Sequence, residues 1–103
     1  MKLELQEIYW HGDRERIMSL DFLKQSVPLL VTAGAEMSTS AYIRLWQLTF
    51  ENSQLVAKHL EDLAGTHERS VNVVRVSPAG DCIASGADDA CIVIWAKKKK
   101  QIF

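Results

Sequence analysis

HERSVNVVRVSPAGDCIASGADDACIVIW, residues 67–95, is the stretch whose reading decides the fold. Val71, Val73, Val74 and Val76 form an apolar run that ends in Ser77-Pro78-Ala79-Gly80. A second run, Cys82 to Ala84, ends in Gly86-Ala87-Asp88-Asp89, and a third, Cys91 to Ile94, closes on Trp95. Short β-rich runs punctuated by turn residues predict strands joined by tight turns. Pro in the second position and Gly in the fourth suit a type I turn at Ser77-Pro78-Ala79-Gly80. The Asp88-Asp89 pair predicts side chains that accept hydrogen bonds from their own backbone and so hold the second hairpin.

His67 stands ahead of the first run, Ser85 ends the second, Asp89 lies in the second turn and Trp95 sits on the third. That order resembles a WD repeat, although Ala79-Gly80 replaces the family's Asp-Gly and no Asp follows Trp95. The resemblance implies an all-β fold, an incomplete WD-repeat β-propeller of about two antiparallel blades. It also implies a buried hydrogen-bonded tetrad of His67, Ser85, Asp89 and Trp95. Those residue types suit such a network, because a buried indole N–H and a hydroxyl need acceptors and a carboxylate needs donors. Ser, His and Asp are also the types of a hydrolase triad. No G-x-S-x-G elbow surrounds Ser85, however, and the spacing is that of a blade, which argues against catalysis.

At 103 residues the chain is long enough for one domain with a modest core. With 48% hydrophobic and 24% charged residues it has a globular profile, and its net charge of -1 gives no global field toward nucleic acid or membrane. Residues 1–22 mix charged with apolar positions, so no signal peptide is read, and no apolar run approaches the roughly 18 to 20 residues of a membrane span. The expected compartment is cytosol or nucleus. Cys82 and Cys91 are expected on adjacent strands, with Cys91 opposite about Gly86 and Cys82 opposite about Trp95. That offset places them too far apart for a disulfide, so both are read as small buried thiols. Together with His59 and His67 they lack the C-x-x-C or H-x-x-x-H spacing of a metal site.

The preceding residues repeat the pattern more weakly. LELQEIYW, residues 3–10, alternates Leu3 and Leu5 with Glu4 and Gln6 before Ile8, Tyr9 and Trp10, and predicts a strand with no partner just before it. A polar loop from His11 to Arg16 leads to strands over RIMSLDF, then Leu29 to Ala33, then Tyr42 to Leu48. His11 takes the place of His67, Thr32 of Ser85, Ser40 of Asp89 and Trp46 of Trp95. With Ser40 where the acid should stand, this unit predicts at most a reduced network through Thr32 and Ser40. In SQLVAKHLEDLAG, Leu55, Val56, His59, Leu60 and Leu63 fall on one helical face with Gly65 as a cap. The repeat order instead demands an outer strand over about 54–60 and is preferred, which makes His59 a packing residue on an edge. Lys97 to Lys100 read as a nuclear-import or nucleic-acid patch or as a solvated tail; without arginine or aromatic interleaving, the tail is favoured. The expected division is a strand over 1–10 completing a last blade, a first repeat over 11–66, an incomplete second repeat over 67–96 and a basic tail over 97–103.

EIYWH at 7–11, MSLDF at 18–22, IRLW at 43–46 and the run from Ser70 to Trp95 narrow the resemblance. They are similar to the WD-repeat histone-chaperone subunits of replication-coupled chromatin assembly complexes, specifically to their first two blades, with histone regulator type chaperones as the nearest rival. The likeness covers about residues 1–96. It implies a nuclear, non-catalytic scaffold that helps deposit core histones on newly synthesised or repaired DNA. The partners it implies are core histones and the complex's large subunit, with no cofactor, no metal, no membrane and no sequence-specific DNA contact. No histone-contacting residue carries over, because the motifs present are structural. A generic WD-repeat interaction module is the alternative; an enzyme is remote, since no phosphate loop or paired acid-base carboxylates are present. The pattern breaks after Trp95, so a truncated product is expected. Two blades share one interface and leave the other faces bare, so the isolated chain is expected to be marginal or oligomeric.

Overall fold

The computed structural model describes residues 3, 5–8, 16–34, 43–63 and 69–96. Its strands are β1 (Ile17–Leu23), β2 (Leu29–Gly34), β3 (Ile43–Glu51), β4 (Gln54–Leu63), β5 (Val71–Val76), β6 (Cys82–Ala87) and β7 (Ile92–Ala96). They form two antiparallel sheets, one in the order β1-β2-β3-β4 and one in the order β5-β6-β7. Each sheet is a meander, as tight connections between successive strands require.

Turn chemistry sets the hairpins. Gly80 N–H donates to Ser77 O at 2.9 Å and Gly80 takes φ 76, the left-handed region that glycine occupies without a Cβ penalty. Ser77 Oγ accepts from the amides of Asp81 and Cys82 and donates to Asp81 Oδ1 at 2.8 Å. That hydroxyl holds the Asp81 carboxyl below the usual carboxylate range. Between β3 and β4 the pair Glu51 and Gln54 flanks Asn52 at φ 51 and Ser53 at φ 65. Positive φ at both central residues is the type I′ pattern, whose twist matches that of the strands. Asp89 Oδ1 accepts from Cys91 N–H at 3.0 Å, the local bond expected of the Asp pair.

The sheets pack face to face. Leu23, Leu29, Val31, Ala33, Ile43 and Leu45 of the first sheet meet Val71, Val74 and Ile83 of the second, and none is more than 2% exposed. β1 alternates accordingly. Ser19, Asp21 and Leu23 point toward the second sheet, while Leu20 and Phe22 are 52% and 50% exposed on the opposite face. The junction carries polar bonds as well. Val74 N–H donates to Ser19 Oγ at 3.2 Å and Val76 N–H to Asp21 Oδ2 at 2.7 Å, while Arg75 Nη1 donates to Ser19 Oγ and Val74 O. These bonds serve amides on the side of β5 that no strand covers among the described residues.

The outer strand preferred over a helix is present as β4 and runs on to Leu63, because pairing along all of β3 outweighs the helical spacing of its leucines. Other expectations need correction. β7 starts at Ile92, so Gly86 faces Ile92 and Cys82 faces Ala96, one residue beyond the expected register. The cause is the extra turn residue Ala90, at φ 60. Cys91 is therefore exposed rather than buried and Cys82 is half-buried; both are free thiols. Burial pushes the Cys82 thiol up, with Asp81 adding to the effect. Leu3 and residues 5–8 take part in no ladder, and Leu3 and Leu5 are exposed. The rest of that expected strand, His11, Ser40, His67 and the basic tail lie outside the described residues.

A Cβ added at Gly80 would lie 2.7 Å from Leu23 Cδ1 across the junction. Gly80→Ala therefore combines left-handed strain with a clash and should cost about 1–2 kcal/mol or more in urea unfolding. Ser53→Gly removes the same strain at an exposed turn and should raise stability by about 0.5–1 kcal/mol in the same assay.

Candidate functional site

Each sheet holds an indole paired with a hydroxyl, and strand register explains both. Leu30 faces Trp46 across β2 and β3, and Thr32 lies two residues further along the same face. Ile83 faces Trp95 across β6 and β7, with Ser85 in the matching diagonal position. The diagonal is within reach of a large aromatic side chain. Trp46 Nε1–H donates to Thr32 Oγ1 at 2.9 Å, and Trp95 Nε1–H donates to Ser85 Oγ at 2.9 Å. Thr32 is 3% exposed, Trp46 7% and Ser85 2%. At such burial an unpaired Trp46 N–H would carry its full desolvation penalty, and the half-buried Trp95 N–H part of it, so the hydroxyls fix where the tryptophans sit.

The acidic turn divides its work. Asp88 Oδ1 accepts from Asn72 Nδ2 at 2.6 Å and Asp88 N–H donates to Ser70 O, tying the turn back to the start of β5. Asp89 is half-buried and caps the turn through Cys91 N–H. Of the residues expected to converge in the second unit, the structure brings Ser85 and Trp95 together. Of those expected in the first, it joins Thr32 and Trp46.

Two features escaped the sequence reading. The Trp46 ring lies 5.4 Å from that of His59, whose Nε2 is 2.6 Å from Asp62 Oδ1, and Asp62 also lies 3.2 Å from Arg44 Nε. A bulge where Leu45 faces Glu61 and Trp46 faces His59 aligns this chain of contacts. His59 is thus the edge-strand packing residue the repeat order predicts, and its Trp46 and Asp62 partners are what the sequence did not show. The other is the Ser19 and Asp21 pair at the junction. Two polar residues alternating in an otherwise apolar strand were its only signal.

The arrangement offers structure rather than reactivity. Ser85 Oγ is buried and engaged by an indole, not presented to a substrate. Among the described residues no three His, Cys, Asp or Glu side chains converge as metal ligands would.

The model of the WD domain, G-beta repeat, matches residues 59–96. The B subunit of chromatin assembly factor 1 from Mus musculus is 36% identical over 99% of this chain and 18% of its own length. Its namesake from Schizosaccharomyces pombe is 34% identical, over 92% of this chain and 18% of its own. That from Saccharomyces cerevisiae is 35% identical, over 89% of this chain and 20% of its own. The chain thus spans about a fifth of the length of the curated relatives it matches.

Removing the hydroxyls tests their role. Thr32→Val and Ser85→Ala should each destabilise by about 1–3 kcal/mol in chemical denaturation, since each strands an indole N–H. Thr32→Val should cost more, because Trp46 is the more deeply buried of the two rings. Equal stability of either variant with the parent would remove the pairing from the account.

Proposed function

From the match of residues 59–96 to the WD-domain repeat, we propose that the chain is a WD-repeat segment of a non-catalytic histone-chaperone scaffold that works in the nucleus. The complex it serves deposits core histones on newly synthesised or repaired DNA. Its partners are those histones and the large subunit of the chromatin assembly complex. The supporting observation is likeness to the B subunit of chromatin assembly factor 1 along nearly the whole chain. In this reading residues 11–66 and 67–96 are successive repeats, and residues 1–10 belong with a last blade. His67 and Asp89 complete the Ser85 and Trp95 network, with His11 and Ser40 as weaker counterparts around Thr32 and Trp46. These residues hold the scaffold and do not touch histone. A scaffold reading also suits the state of Ser85, whose Oγ accepts from the Trp95 indole.

Binding surfaces of propellers gather residues from several blades, so activity belongs to the complete protein. The full-length natural product, tagged and precipitated from nuclear extract, should bring down the large subunit and core histones. The 103-residue chain alone should bring down little of either. Recovery of unrelated proteins in place of both would favour a generic WD-repeat module. Tight histone binding by the short chain would defeat the multi-blade argument.

A further inference from the structure

We draw no further inference here: the strongest candidate, the apolar cavity of about 530 Å³ in the corner between the β1–β2 loop at Val27 and Pro28 and the β3–β4 hairpin at Leu48, Phe50 and Leu55, opens on the face of the first sheet that carries Trp46, and nothing in the structure shows what covers it.

Discussion

Val74 and Val76 turn backbone N–H groups toward a neighbouring sheet rather than a neighbouring strand, and Ser19 and Asp21 receive them. An amide in that position is cut off from water by the packed face above it and would otherwise lack an acceptor. The two bonds fix how far β5 slides along β1 and at what angle the sheets meet. From that placement follows which side chains are buried: Leu23, Val31 and Leu45 on one side, Val71, Val74 and Ile83 on the other. A burial pattern of apolar residues alone tolerates sliding; two directed bonds, one to a hydroxyl and one to a carboxylate, do not.

The indole and hydroxyl pairs perform a comparable task within each sheet. Both tryptophans sit on a third strand and reach back diagonally to a second-strand hydroxyl. A one-residue slip would send each ring to the opposite face and leave its N–H without the hydroxyl acceptor. Repeating units built this way share an orientation, and a row of them has a front and a back. A scaffold gains from that property, since surface residues on successive units keep fixed relative positions while the interior carries the load.

Much of this was legible in the chain. The strands expected over RIMSLDF, Leu29 to Ala33, Tyr42 to Leu48 and 71–76 are met by β1, β2, β3 and β5 in their described residues, because β-branched and large apolar residues run between turn residues. Repeat spacing places Thr32 and Trp46 at the positions of Ser85 and Trp95; the expected pairing was of Thr32 with Ser40, which lies outside the described residues, and the bond found runs from Trp46 to Thr32. The register of the last hairpin was not legible. Its turn takes Ala90 at φ 60, a conformation that alanine does not advertise, and the shift it introduces put Cys91 outside the strand. The bonds from Ser19 and Asp21 were not legible either. They join residues 55 apart, and their geometry depends on how two sheets meet, which no local pattern encodes.

The same separation bears on how the molecule forms. Every pairing in the first sheet is a hairpin between successive strands, and such local contacts close early because little chain entropy is lost. The junction waits for β5, and during synthesis the residues of β5 emerge after β1 to β4 are already outside the ribosome. For that interval Val31, Ala33, Ile43 and Leu45 form a finished but uncovered apolar face. The nascent chain thus passes through an adhesive interval, when the first sheet is complete and the second has yet to arrive.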